Sequence, residues 1–302
     1  PAYPDGAGIL RAEGYVTAAS VSAFLMFCCL AYAAFATKRQ AASFSAPVAA
    51  LELRDSLRQI RVTLGDKNVL GIVLSGIFGA IATSTANSLW AYMLSYFWRF
   101  DSTQITTMLI GQLIAAVIAF VLLPLATQQR DKKIVYIVLI ALCIVVSTSP
   151  VLLSVNGLFF TSESSFLFPT MFVLGAVEVM LWAMTSALFL SMIADVTDHR
   201  ARATGRREEG LLFSTQSFVA KVAAGVGVWT GGLVLSVINF PTGMDSADID
   251  ATILEQLGWI YGPLIASLYL ASIWMLKFYK INRDTHGVNV EVLEKTSGSQ
   301  PR

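Results

Sequence analysis

The chain has 302 residues, of which 55% are hydrophobic and only 14% are charged, whereas soluble globular domains carry about 25% charged residues. This deficit excludes an ordinary soluble domain and indicates a membrane protein that has the lipid bilayer as its surroundings. The formal net charge of +1 is uninformative about partners, and we predict no nucleic-acid binding.

Long runs with at most one charged residue occur seven times along the chain. Each run exceeds the roughly 18 residues that a spanning helix needs, and none shows the period-two alternation of barrel strands. The runs are residues 15–37, 68–98, 102–129, 134–162, 164–194, 210–244 and 256–276. They predict an all-α integral membrane protein with seven transmembrane helices.

Lysine and arginine residues are concentrated in alternate loops. The basic segments are 38–67, 130–133, 195–209 and the tail from Lys277. The loops on the opposite side offer only Arg11 and Arg99. Because basic loops are retained in the cytoplasm, this pattern places the start of the chain outside and the C-terminal tail inside.

The longest connection, 38–67, contains leucines and an isoleucine at helical spacing within residues 51–64, with three arginines on other faces. This pattern predicts either a short amphipathic helix on the inner membrane surface or a solvated helix within the loop. Residues 282–302 are polar and are predicted to form a disordered tail.

Two spans each contain a single charged residue, Glu178 and Lys221. Lys221 lies roughly 16 Å from Gly210 at the helical rise, close to the middle of a hydrocarbon layer about 30 Å thick. A cation at that depth is costly and predicts a functional site, whereas a purely interfacial lysine would have to extend its stem to the headgroups. Ser217 shares the helical face of Lys221.

Further polar and aromatic side chains lie at comparable depth in other spans. They are Gln216 beside the Lys221 face, Trp182 on the stripe of Glu178, and the amides Asn87 and Gln112. Each amide or hydroxyl alone predicts only an interhelical hydrogen bond. Taken with the two lone charges, they predict a polar cavity.

Small residues recur at intervals of four in two spans. They are Gly71, Ser75 and Gly79 in one span and Gly227 and Gly231 in another. Because small side chains let helix backbones approach, we expect close helix contacts at these positions.

Motifs for soluble-type catalysis and ATP binding are absent from the sequence, and we predict no enzyme activity, no metal site and no cofactor. Cys28, Cys29 and Cys143 lie in apolar runs without metal-ligand spacing. The pair Asp195 and Asp198 leaves open a membrane-embedded, metal-dependent transferase. A non-transporting structural membrane protein is a further alternative, in which Lys221 and Glu178 would tolerate apolar replacement.

A charged loop lies between the fifth and sixth runs, and its order of residues is distinctive. An AD-x-x-D element ends at Asp198, a T-G-x-R-x-E-G element ends at Gly210, and a Q-x-x-x-x-K element ends at Lys221. This order resembles the loop between helices ten and eleven of the glycoside-pentoside-hexuronide:cation symporters. That family belongs to the major facilitator superfamily and includes melibiose permease.

The resemblance implies an importer of a sugar or glycoside that is coupled to sodium or protons and works by alternating access in a bacterial inner membrane. Residues 1–37 would hold an extracellular segment and the last helix of the N-terminal half, and 38–67 would be the central loop. Residues 68–281 would form the six-helix C-terminal half, with 282–302 as its tail. The N-terminal half would be a partner missing from this chain.

The resemblance also implies roles for particular residues. The substrate- and cation-binding residues that we predict from it and from the cavity are Lys221, Gln216, Ser217, Glu178, Trp182 and Asn87. The residues that match the family's cytoplasmic charged network, which we predict to form a gate, are Asp195, Asp198, Arg207 and Glu209. Trp182 lies about one turn from the position of the family's tryptophan.

Overall fold

The computed structural model describes residues 12–43, 65–128, 130–162, 164–204, 209–241 and 249–279. Within these ranges the chain forms seven α-helices and no strand. The helices are α1 (Ala12–Ser43), α2 (Lys67–Tyr92), α3 (Ser102–Thr127), α4 (Lys132–Val155), α5 (Leu167–Thr204), α6 (Glu209–Val237) and α7 (Ala251–Met275). Every one of them contains a segment long and apolar enough to cross a membrane, which confirms the predicted fold class. The predicted amphipathic segment 51–64 and the tail 282–302 lie outside the described residues.

Aspartate side chains cap the N-terminus of three of these helices. Asp66 caps α2, and Asp101 caps α3 in a reciprocal arrangement with the Gln104 side chain. Asp250 caps α7, where hydrogen bonds from the Thr252 backbone N–H and hydroxyl hold the pKa of Asp250 below its usual value. These caps satisfy N–H groups that a helix leaves unpaired at its start.

Helices α2 to α7 pack as an arc rather than as a closed ring. Along the arc, neighbouring helices follow the order α6, α2, α7, α4, α5, α3. Only slight contacts join α5 to α2 and to α6. The interior between α2 and α5 therefore stays open enough to hold a cavity, and α3 and α6 form the two edges of the arc.

Small residues bring α2 into close contact with α6 and α7. A Cβ at Gly227 would overlap Ser84 on α2, and one at Gly231 would overlap Ser88. On the other flank, the hydroxyl groups of Ser75 and Ser272 lie 3.0 Å apart. The predicted close helix contacts are confirmed at these positions.

Apolar side chains form two clusters, one toward each end of the arc. One cluster, around Val69, Met192 and Leu276, lies where α2 and α4 begin. We call this the charged end, because ion pairs described below cover it. The other cluster, around Trp98 and Leu257, lies where α5 and α7 begin, and we call it the aromatic end. Polar groups of the interior lie between the two clusters.

Helix α1 stands apart from the arc. Its residues 16–38 are exposed except for Ala31, which is half-buried. Its most apolar stretch is not buried by any other described helix. This separation agrees with the prediction that residues 1–37 belong to a different half, which remains a prediction.

Candidate functional site

Two connected cavities occupy the space between α2 and α5. One has a volume of about 370 Å³ and is lined by Glu178, and we call it the Glu178 cavity. The other has a volume of about 400 Å³ and is lined by Gln216, and we call it the Gln216 cavity. Both are lined by the same five residues, namely Thr83, Asn87, Cys143, Trp182 and Tyr269. Of the side chains that predicted a polar cavity, those that line these two are Asn87, Gln112, Glu178, Trp182 and Gln216.

Amide, hydroxyl and aromatic side chains line the Glu178 cavity from four helices, and Cys143 lines it from a fifth, α4. Asn87 comes from α2, Gln112 from α3, and Trp182 and Glu178 from α5. Trp182 leaves 46% of its surface exposed. An exposed indole face and several converging hydrogen-bonding groups can hold a small polar molecule.

The Gln216 cavity reaches closer to the charged end. On α6 its lining residues are Gln216, Ala220 and Ala224, which are spaced by four and so share one helical face. Tyr269 on α7 approaches Thr83 on α2, with 3.2 Å between their oxygens. Small side chains on α6 thus leave space in front of the Gln216 amide.

Lys221 and Ser217 lie on a different face of α6. Both are exposed in this structure, and neither lines the Gln216 or the Glu178 cavity. Lys221 follows Ala220 directly, so a rotation of about 100° along the helix separates its side chain from the cavity face. Within the described part of the chain, Lys221 forms no ion pair with Glu178. The binding roles predicted for Lys221 and Ser217 remain predictions, and they would involve the exposed face of α6.

Hydroxyl groups of α5 near the cavity bond mainly within their own helix. Thr185 donates to the Leu181 carbonyl at 2.7 Å, and Ser186 donates to the Ala183 carbonyl at 3.0 Å. By contrast, Ser84 on α2 donates across to the Ala224 carbonyl on α6 at 2.7 Å. The expected interhelical hydrogen bonds therefore join α2 to α6 and α2 to α7.

Asp195 forms the best-defined ion pair of the charged end. Its two carboxylate oxygens accept hydrogen bonds from Lys132 Nζ at 2.7 and 2.8 Å. The Asp195 side chain is buried and the Lys132 side chain is one-third exposed. This pair ties the start of α4 to the end of α5 inside the same arc.

Two further contacts extend this arrangement. An Arg200 guanidinium nitrogen lies 4.0 Å from the Asp66 carboxylate at the start of α2. Lys133 Nζ donates to the Tyr279 carbonyl at 2.6 Å, just after α7. Burial raises the pKa of the Tyr279 phenol, and the negative charge of nearby carboxylates raises it further. The charged end thus connects four helix ends.

Of the other predicted gate residues, the structure describes the side chain of Asp198 only. Asp198 is half-buried near the end of α5. Arg207 lies outside the described residues, as does the side chain of Glu209. The gate therefore remains a prediction, to which the structure adds Lys132 as a direct partner of Asp195.

Comparison with known proteins assigns the chain to a family. The model of the family described as MFS/sugar transport protein matches residues 4–283, which is most of the chain. The chain belongs to this family. Membership of this family gives no support to the transferase alternative, which is set aside.

A curated relative adds a more distant likeness. The chain is similar to the "Putative glycoside/cation symporter YagG" of Escherichia coli (strain K12), with 26% identity over 110 residues. The matched segment covers 36% of this chain and 24% of that relative. The chain thus matches about a quarter of the length of its curated relative.

Three residues that line the Glu178 cavity were not predicted from the sequence. Tyr261 and Tyr269 line the cavity from α7, and Trp90 lines it from α2. Tyr261 and Tyr269 are eight residues apart, which is about two helical turns, so their spacing was a usable signal. Trp90 stands three residues after Asn87 and offered the same signal.

Proposed function

We propose that this chain is part of a secondary active transporter that carries a sugar or glycoside by symport with sodium or protons. Membership of the sugar-transport family supports the substrate class. The name of the Escherichia coli relative supports cation symport. Alternating access is the mechanism that such a transporter uses.

One observation carries the proposal, namely the connected cavities with Trp182 between them. Sugars present apolar C–H faces and a rim of hydroxyl groups. An exposed indole stacks against such a face, while Asn87, Gln112 and Gln216 offer both donors and acceptors to the hydroxyls. A cavity of about 370 Å³ joined to one of about 400 Å³ has the size of a typical small-molecule site.

The open side of the arc is where we place the other half of the transporter. Superfamily transporters bind substrate at mid-membrane between two six-helix halves. Helices α3 and α6 border the open side, and the exposed Lys221 and Ser217 lie on α6. In this arrangement Lys221 faces a carboxylate or a substrate hydroxyl of the assembled site.

We assign the charged end to the cytoplasm of a bacterial inner membrane, because the basic loops lie there. Asp195, Asp198, Arg207 and Glu209 act there as a gate that favours the inward-closed state. A substrate then shifts the population between states by its differential affinity.

The test is transport by the full-length protein in proteoliposomes. Radiolabelled hexosides, pentosides and hexuronides are offered with an inward sodium gradient, an inward proton gradient or no gradient. We expect one sugar class to accumulate with one of the two gradients and only to equilibrate without a gradient. Equilibration under every gradient would contradict symport, and absence of uptake for every sugar would contradict the substrate class.

A further inference from the structure

A small chamber lies beside the Glu178 cavity, toward the aromatic end. Its volume is about 60 Å³, and Glu178 lines both it and the larger cavity. We call it the side chamber. Its polar wall consists of Gln112, Ser147, Glu178 and Tyr261. Apolar residues such as Trp98 and Val151 form much of the rest.

Ser147 indicates what the side chamber holds. Its side-chain oxygen is buried and has no hydrogen-bond partner within the described part of the chain, and the residue is only 9% exposed. The next residue, Thr148, differs because its hydroxyl donates to the Ile144 carbonyl at 2.7 Å. Leaving a buried hydroxyl without a hydrogen-bond partner costs free energy, because the group has lost its water. A water molecule bonded to Ser147 removes that cost.

The chamber is large enough for such water. One water molecule needs about 10–15 Å³ of such space and two to four polar partners. The volume of about 60 Å³ accommodates a small water cluster. Ser147, Gln112, Tyr261 and the Glu178 carboxyl supply its hydrogen bonds.

The surroundings of Glu178 contain no basic side chain among the described residues that line the chamber and the Glu178 cavity. Two neighbouring helices present titratable groups to this cavity, namely Cys143 on α4 and Tyr261 and Tyr269 on α7. The groups that α2 and α3 present there carry no charge, and they are Asn87, Trp90 and Gln112. On α5 itself the next acidic residue is Asp195, at the charged end. An unpaired carboxylate inside a membrane is costly, and one proton removes its charge.

Resting on the proposed function, we propose that Glu178 takes up and releases the coupling proton, and that water in the side chamber conducts this proton between Glu178 and the aromatic end. The proton adds to a carboxylate oxygen of Glu178 and later leaves to a water molecule. No other bond forms or breaks. The coupling ion of this transporter is then a proton and not sodium.

The position of Glu178 links this proton to the sugar. The protonated carboxyl becomes a hydrogen-bond donor toward the Glu178 cavity, where Trp182 also lies. A sugar that accepts this bond binds the protonated form more tightly. By linkage, the bound sugar then raises proton affinity by the same factor, so that sugar and proton cross the membrane together.

The test uses the full-length protein and the sugar identified by the uptake panel described above. Equilibrium sugar binding is measured from about pH 5 to 9, and accumulation is driven by a proton gradient. We expect wild-type affinity to weaken about tenfold as pH rises. Glu178→Gln should make binding insensitive to pH and abolish accumulation. The control Glu255→Gln removes an exposed carboxylate at the start of α7 and should behave as wild type.

A second pair of variants tests the chamber without changing Glu178. Ser147→Val removes the hydroxyl and fills part of the chamber, so proton-driven uptake should slow severalfold. Thr148→Val is the matched control, because Thr148 is adjacent but does not line the chamber. Uptake at the wild-type rate by Ser147→Val would overturn the water path.

Other outcomes separate this inference from the proposed function. Wild-type binding that depends on sodium and not on pH would overturn the role of Glu178 while leaving sugar symport intact. Proton-driven accumulation by Glu178→Gln would overturn it as well. If no sugar is taken up under any gradient, the proposed function fails, and the proton role of Glu178 fails with it.

Discussion

Trp182 presents nearly half of its surface at the junction of the Glu178 and Gln216 cavities. If its indole stacks on a sugar ring, Trp182→Ala should weaken glycoside affinity about 2–12-fold, which corresponds to the 0.5–1.5 kcal/mol of an aromatic contact. Trp182→Phe should recover part of the loss. Equilibrium titration of the full-length protein measures both.

The matched control for that substitution is Trp274→Ala. Trp274 is also exposed, but it lies near the end of α7 beneath Lys277 Nζ, at 3.5 Å from the ring centre. It lines neither cavity, so its loss should leave affinity unchanged. Equal affinity of the two alanine variants would exclude stacking on Trp182.

Lys221 poses a different question, because its face of α6 is exposed here. An ammonium group at mid-depth is costly unless it meets a partner. We expect Lys221→Met in the full-length protein to fold normally and to lose sugar accumulation. Lys277→Met, at the end of α7, should keep it. Normal accumulation by Lys221→Met at wild-type affinity would remove Lys221 from the site.

At the scale of helices, the contact between α2 and α6 depends on glycine. A Cβ at Gly227 would meet the Thr85 backbone nitrogen at 2.8 Å, and a backbone atom cannot turn away as a side chain can. Gly227→Ala should therefore destabilise the protein by about 1–3 kcal/mol, the usual cost of overpacking. Thermal unfolding in detergent measures the effect.

Gly232 provides the internal comparison on the same helix. Nothing lies within 4 Å of a Cβ built at Gly232, and alanine is the better helix former. Gly232→Ala should leave the melting temperature equal or slightly higher. If both substitutions have the same effect, close packing is not the reason for glycine at Gly227.

The Lys132–Asp195 pair connects α4 and α5 at the charged end. We expect Lys132→Met and Asp195→Asn each to lower stability by about 1–3 kcal/mol, because a hydrogen bond to a charged group is lost. The double variant should lose less than the sum of the two single losses. Denaturation of the full-length protein in detergent measures all three.

Arg130→Met serves as the control for the single and double variants of Lys132 and Asp195. Arg130 is an exposed basic residue two positions before Lys132, and exposed charges contribute about 0–1 kcal/mol. Its loss should change little. Strict additivity of the Lys132 and Asp195 substitutions would show that the pair does not act as a unit.

For the whole molecule, orientation determines which side each end of the arc faces. The charged end contains the end of α5, close to Thr204, whereas α6 ends at Val237 and α7 begins at Ala251, and Ser246 stands between these two positions in the sequence. With the charged end in the cytoplasm, a cysteine at Ser246 should react with an impermeant maleimide applied to intact cells. A cysteine at Thr204 should not react until the cells are opened.

This labelling requires a background in which Cys28, Cys29 and Cys143 are replaced, because the first two are exposed on α1. Labelling of Thr204→Cys but not Ser246→Cys in intact cells would reverse the orientation. The gate would then lie outside, and the proton path through the side chamber would open to the cytoplasm.

The sequence by itself determined the helices and much of their packing chemistry. The length of the runs with at most one charged residue predicts seven spans, because a hydrocarbon layer of about 30 Å requires that length. Small residues spaced by four predicted the close approach of α6 at Gly227, since that spacing lies along one helical ridge. Amides and lone charges within the spans also predicted a polar cavity, but of the two lone charges only Glu178 lines one of the cavities found.

Only the tertiary structure decided which side chains meet. Gln216 lines the cavity and Lys221 does not, although five positions separate them and the sequence pattern favoured both. Asp195 pairs with Lys132, 63 positions away, and Tyr261 joins Glu178 from another helix. The physical reason is that each residue turns a helix by about 100°. The rotation and order of the helices, which no local pattern encodes, therefore determine which faces converge.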